Sequence, residues 1–312
     1  MGPPPSDTFF TASPHWGWII VFYFFFGGLA GGSYFLAALL DIFGSPTDRR
    51  LARLGYFAAL PCLAVCPPLL IIDLNRPERF WHMMFMSERF PTPMFKGWSP
   101  MSYGSWALLG LSAFAAVAFF AALSEGSGRF ASRLRFLRPL RERAAPRIGL
   151  AVVGGALAVI IAGYTGILLS VTNRPVWADT PLLGGLFTVS SAASSAALLL
   201  LLARRAGIVE ASSLAWLSRV EVRFALLELI ALVALVISLG PVAKVWLNAW
   251  GALLVVGVGL IGIAIPVALH LLHRREQSSR VGASSSPVIA AAMVLAGAFV
   301  LRAVIVLSSE AI

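Results

Sequence analysis

The sequence predicts an all-α integral membrane protein of eight transmembrane helices, arranged as two four-helix bundles, and three observations predict it. Of 312 residues, 59% are hydrophobic and only 12% charged, and the mean hydropathy is +0.86. A soluble domain of that length needs a more polar exterior than these residues can make. The apolar residues are gathered into eight long runs, and roughly 20 helical residues cross a hydrocarbon core about 30 Å thick. Most of the charges fall between the runs. Backbone groups in lipid must be satisfied within their own segment, so such runs form helices.

The runs cover residues 16–42, 52–74, 102–123, 148–171, 181–203, 222–241, 249–272 and 287–308. They form a single membrane domain over 1–312, in which 1–147 and 148–312 are not separable as soluble domains. The stretch before the first run has no basic region, and the run itself is too long for a signal peptide, so the first span is expected to be retained. Span 1 carries "GGLAGGSYF" (Gly27 to Phe35), small residues that let a second helix or a flat ligand approach closely. Span 2 contains Pro61, Pro67 and Pro68, which remove backbone donors and are expected to kink or interrupt it. Span 4 holds one tyrosine, Tyr164, among small and apolar residues. Spans 5 to 8 are mostly plain Leu/Ala/Val helix.

The net charge of +10 is explained by topology rather than by nucleic acid, since no basic patch is interleaved with exposed aromatics. Arginines crowd the loops after spans 1, 3, 5 and 7, above all Arg129, Arg133, Arg135, Arg138, Arg141, Arg143 and Arg147. The opposite face carries Arg76, Arg79, Arg89, Lys96, Arg174, Lys244 and Arg302. The positive-inside rule then puts the arginine-rich loops in the cytoplasm and both termini outside. The outer loop after span 2 opens "DLNRPERFWHMMF" (Asp73 to Phe85). It mixes both signs of charge with aromatics, a composition suited to a docking rim as well as to a membrane interface.

Ionisable groups within spans are costly and are candidates for function. Asp73 ends span 2 at the outer face. Asp41 lies near the inner end of span 1, and Glu228 lies about two turns into span 6; both are candidates for an inner proton path. Of the histidines, His15 and His82 lie at the outer boundary, while His270 and His273 end span 7. None is mid-span, where axial haem pairs belong, so no haem is expected. Cys62 and Cys66, four apart on one apolar helix, suit packing better than a disulfide or a metal site. A quinone asks for a flat apolar slot and one or two donors to its carbonyl oxygens. Tyr23, Tyr34, Tyr103 and Tyr164 are candidate donors, with His15 at the rim. Tyr23, Tyr164 and Asp73 fall at similar depth near the outer face.

Four segments, "GGLAGGSYFLAALL", "DLNRPERFW", "SPMSYGSWALL" and "YTGILLSVTNRPVW", give the chain its likeness to known proteins. In order and spacing it resembles the NrfD family, the membrane subunit of polysulfide-reductase-type complexes, over at least residues 16–205. The resemblance implies a haem-free subunit of a respiratory oxidoreductase in the bacterial cytoplasmic membrane that binds menaquinone or ubiquinone. It implies a ferredoxin-like four-cluster iron–sulfur partner, often joined to a molybdopterin catalytic subunit, with clusters and molybdopterin on those partners only. Tyr164 would hydrogen-bond a quinone carbonyl, Tyr23 and His15 would offer further polar groups, and Asp73 would handle protons. Arg76, Arg79, Trp81 and His82 would support docking. The chain alone is expected to catalyse nothing complete. Two rival readings are a secondary transporter or proton channel, and a structural anchor without a working quinone site.

Overall fold

In a computed structural model, which describes residues 15–207, 209–277 and 286–310, eight helices are long and apolar enough to cross a membrane. They are α1 (Trp18–Phe43), α2 (Arg49–Asp73), α3 (Pro100–Ser124), α4 (Ala144–Ser170), α5 (Leu183–Ala206) and α6 (Ala211–Leu239), then α7 and α8 (Ser286–Glu310). Helix α7 starts as α over Ala249–Ala252, widens to a π-helix over Leu253–Ala264, and returns to α over Ile265–Gln277. The amino-terminal residues before His15, Arg280, and the side chains of His273, Arg274 and Arg275 lie outside what is described.

Two four-helix groups, α1–α4 and α5–α8, meet along α1 and α5. The meeting is close because both helices are built of small residues where they touch. A methyl group at Gly28 would come 2.6 Å from Ser191 Oγ, and one at Gly32 would collide with Ser191 and Ser195 of α5. The Ser195 hydroxyl instead donates across the gap to the Leu29 carbonyl at 3.1 Å. Gly31, on the adjacent face, meets Ala158 and Ala162 of α4 in the same way. The "GGLAGG" stretch is therefore a two-sided small-residue seam that lets α1 serve both groups. Gly262 and Gly297 form a second such seam between α7 and α8.

Helix α2 runs unbroken through its three prolines. The sequence suggested a kink or an interruption; the structure keeps one helix from Arg49 to Asp73. Pro61 and Pro68 lie on its exposed side and Pro67 is half-buried. Helix α3 starts with Pro100 at its first position, behind the Ser99 hydroxyl, which accepts from the Ser102 N–H. Proline suits that position because the N–H there has no helical partner.

The loop after α4 ends in a sharp corner. Val176 takes a left-handed φ of 69°, a costly setting for a β-branched residue. Its N–H donates to the Asp179 carboxylate at 2.9 Å. The corner turns Trp177 fully into the core, where its indole N–H donates to the Ile305 carbonyl of α8 at 2.7 Å. Trp16, just ahead of α1, stacks on Trp177 at 5.4 Å. The start of α1, the α4–α5 loop and the end of α8 are thus locked together on one face.

Candidate functional site

Helices α1 and α3 run from this face inward, and α2 and α4 run back toward it. Tyr23 sits about 8 Å below the start of α1, and Tyr164 about 9 Å below the end of α4, at 1.5 Å per residue. Both are buried, at 2% and 7% exposure. They are close enough to interact electrostatically with each other, and Cys66 of α2 interacts with Tyr23 as well. The Tyr164 ring lies against Gly104 of α3, at a point where any side chain on that residue would overlap the ring. Residues of four helices therefore come close together here: Tyr23, Cys66, Gly104 and Tyr164.

Neither of these two hydroxyls has a hydrogen-bond partner among the described residues. The two tyrosines deeper in the same group differ. Tyr34 donates to the Leu150 carbonyl at 3.0 Å, and Tyr56 donates to the Asp41 carboxylate at 2.8 Å. Tyr23 and Tyr164 thus differ from Tyr34 and Tyr56 in having no protein partner for the hydroxyl among the described residues.

Asp73 is the last residue of α2, half-buried, and makes no hydrogen bond or ion pair among the described residues. It lies seven residues beyond Cys66, two turns on along the same face and about 10 Å further out. His15 is held elsewhere on this rim, with its Nδ1 2.7 Å from the Arg174 guanidinium, above the α4–α5 corner. Arg76 and Arg79 are exposed, and Trp81 and His82 half-buried, in and beside the short 3-10 helix Pro77–Met83. Trp81 packs edge-on against His82 and Phe90. Arg76, Arg79, Glu78, Glu88 and Arg89 make no ion pair among the described residues, so this surface presents both signs of charge uncompensated.

The remaining candidate carboxylates stand in ionic clusters. Asp41, 4% exposed, accepts from the Tyr56 hydroxyl and from Arg141 Nη1 at 2.5 Å. Arg141 also donates to Glu125 at 3.0 Å, and Glu125 pairs with Arg53 at 3.3 Å. Burial opposes the Arg141 charge, but Asp41 and Glu125 outweigh it and hold this guanidinium above the usual arginine range. Nothing in the sequence set Arg141 apart from the other arginines of its loop.

Glu228 faces Arg302 of α8 across Ser190 of α5. Arg302 is 1% exposed; it donates to the Phe24 and Ala298 carbonyls at 3.1 and 2.8 Å, and to the Ser190 and Ser191 hydroxyls at 3.1 and 3.0 Å. The topology argument counted Arg302 among the cations of the outer face, and the structure corrects this: it lies inside the bundle. Its place within an apolar span was the available signal, because a charge there faces the interior. Arg302 also accounts for Gly28, where a methyl group would come 2.7 Å from its guanidinium. A third cluster joins Glu221 to His270 at 3.1 Å, with Ser218 on the other ring nitrogen.

A cleft of about 410 Å³ lies away from all of these, at the arginine-rich end, between Leu39, Leu40, Phe43 and Trp216. Its carboxylate, Asp48, is already occupied by Ser213 and Ser45. The cleft therefore offers no unpaired donor comparable to the tyrosine pair.

Among the described residues, no group of three or more His, Cys, Asp or Glu side chains is placed to hold a metal ion. Among characterised proteins, the chain is similar to a selenate reductase subunit of Mesobacillus selenatarsenatis, at 34% identity over 74 residues. The aligned stretch covers 24% of this chain and 17% of that protein. The polysulphide reductase NrfD family model matches residues 7–312, nearly the whole chain. An eight-span all-α protein, the chain belongs to the NrfD polysulphide reductase family.

Proposed function

We propose that this chain is the quinone-reactive membrane subunit of an oxidoreductase complex and exchanges electrons with an extrinsic iron–sulfur subunit. The observation that carries the reading is the pair of buried, unpaired phenols, Tyr23 and Tyr164, beside the bare face of Gly104. A quinone supplies two-electron, two-proton chemistry at its two ring oxygens. Tyr164 donates a hydrogen bond to one of these oxygens, and Tyr23, from the facing helix, lies within the same pocket. Gly104 leaves the Tyr164 ring room to lie flat. Asp73, further out on the Cys66 face of α2, holds or passes a proton between the pocket and the outer surface. Likeness to a selenate reductase subunit and membership of the NrfD family support a place in such a complex.

The partner is a ferredoxin-like protein carrying the clusters, because Cys62 and Cys66 cannot ligate one by themselves. A molybdopterin subunit beyond it reacts with the terminal substrate. Docking uses the loop with Arg76, Arg79, Trp81 and His82, whose uncompensated charges would steer and orient a charged partner. The arginine-rich loops face the cytoplasm of a bacterial cell, which puts the tyrosine pair and the docking loop near the outer side of the inner membrane.

The test is Tyr164→Phe, alone and with Tyr23→Phe, in the intact complex. A hydrogen bond to a ligand oxygen is worth about 1–1.5 kcal/mol, or roughly tenfold. Quinol-linked turnover should fall by about that factor while the subunits still co-purify. Unchanged turnover with either variant would leave the chain as a structural anchor.

A further inference from the structure

Helices α6 and α7 are the least buried of the eight, with 28% of their apolar windows inside the protein. Helix α6 meets the rest of the bundle along one stripe: Ser213, Leu217, Glu221, Ala225, Glu228, Leu232, Leu235 and Leu239. Its other residues are half-buried or exposed. From Phe224 to Leu239 the only ionisable residue is Glu228, which belongs to that buried stripe. Arg223 is therefore the last outward-facing charge before the apolar run. Arg219 lies one turn earlier on the same face.

Between these arginines and α7 is a cleft of about 140 Å³, lined by Arg219, Val222, Arg223, His270 and Leu271. Both arginines are exposed, and neither has a carboxylate partner among the described residues. Among the described residues, the one hydrogen bond given by either side chain runs from Arg219 Nε to the Ala215 carbonyl of its own helix. The nearby carboxylate, Glu221, is buried on the inward stripe, with its Oε2 3.1 Å from His270 Nε2. Elsewhere on this face, Arg53, Arg138 and Arg141 are paired with acids. The cleft has two guanidiniums without a carboxylate partner among the described residues, beside Val222, Leu271 and His270. Both helices also carry exposed apolar side chains, Leu226 and Ile230 on one and Ile261 and Leu272 on the other.

We propose that this cleft is a binding site for an anionic phospholipid, whose phosphate is clamped by Arg219 and Arg223 while its acyl chains run along the exposed faces of α6 and α7. Guanidinium groups bind phosphate oxygens in a two-pronged fashion that a lysine cannot reproduce. Basic clefts between spans at the cytoplasmic level are places where such headgroups lodge. The site is on the opposite face from the tyrosine pair and stands whether or not that pair takes a quinone.

The experiment is native mass spectrometry of the full chain, with whatever subunits accompany it, stripped of lipid in mild detergent. It is then titrated separately with phosphatidylglycerol, phosphatidylcholine and inorganic phosphate. Phosphatidylglycerol is expected to fill one site at least tenfold more tightly than phosphatidylcholine. Replacing both arginines (R219Q with R223Q) should abolish that preference, and Leu271→Trp, which fills the cleft without touching charge, should do the same. The pair R204Q and R205Q removes equal charge from the same face and should leave binding intact. Equal binding of the two lipids, or equal loss from the two arginine pairs, would overturn the proposal and reduce Arg219 and Arg223 to solvated topology signals. Unchanged binding in Leu271→Trp would overturn it too, and inorganic phosphate that binds alone and displaces the lipid at similar concentration would show a free-anion site instead.

Discussion

Tyr164 can lie where it does because Gly104 has no side chain, and the two residues should fail together. Gly104→Ala places a methyl group inside the Tyr164 ring, so the ring or the helix must move, at a cost of about 1–3 kcal/mol. The expected outcome is a lower thermal midpoint together with weakened quinol-linked turnover. A purely structural glycine would lower the midpoint alone. Tyr23, Tyr164, Asp41, Asp73 and Glu228 were legible in the sequence because a polar residue in or at the end of an apolar run stands out. Gly104 was not, since a glycine in a span reads as packing until its neighbour is known. His15 was legible as a polar residue at the rim, but its contact with Arg174, 159 positions away, depends on how the α4–α5 loop folds back.

At the level of elements, Glu228 of α6 and Arg302 of α8 are buried opposite charges that share Ser190 between them rather than touching, an arrangement neither helix explains alone. Removing one member of a buried pair leaves the other uncompensated, which typically costs about 3–5 kcal/mol. Arg302→Leu should therefore lower the unfolding midpoint sharply, and Glu228→Gln less, because the amide can still hydrogen-bond Ser190. The double variant should recover part of the loss, and a double-mutant cycle read by thermal unfolding in detergent measures the coupling. The same logic applies to Arg141→Ala, which strips Asp41 and Glu125 of their shared donor and should destabilise the arginine-rich end by a comparable amount. The stripe from Ser213 to Leu239 recurs every three or four residues and includes both buried glutamates, but the helix is apolar on every side from Phe224 onward, so only Glu228 hinted at its buried face. The unbroken path of α2 through three prolines was not legible. A proline removes one backbone hydrogen bond whichever side it faces, and whether the helix continues past it is decided by its packing against the neighbours.

For the whole molecule, sidedness is the property that organises the rest. Moving Arg302 from the outer face to the interior strengthens the charge asymmetry from which orientation is argued. A membrane-impermeant thiol reagent should label Ser87→Cys, in the loop proposed for docking, on intact cells, and Ser132→Cys, in the arginine-rich loop, only after permeabilisation. The reverse pattern would invert the orientation and with it the docking side. Helix number and the join of two four-helix groups followed from hydropathy and span count. The seam between α1 and α5 was half visible, since "GGLAGG" announced a close approach without saying that serines on the fifth span would meet it.

Arg302 has one more consequence, for how the protein is made. Helix α8 is the last of the eight to leave the ribosome, and a mid-helix arginine penalises its partition into lipid by about 2.5–3.5 kcal/mol. Its socket is supplied by Phe24, Ser190, Ser191 and Glu228, on three helices synthesised earlier. Biogenesis should therefore have an order: the terminal helix settles only once the others are already assembled. Truncated or mis-inserted chains would present a segment that hesitates at the translocon, which is a natural checkpoint for quality control.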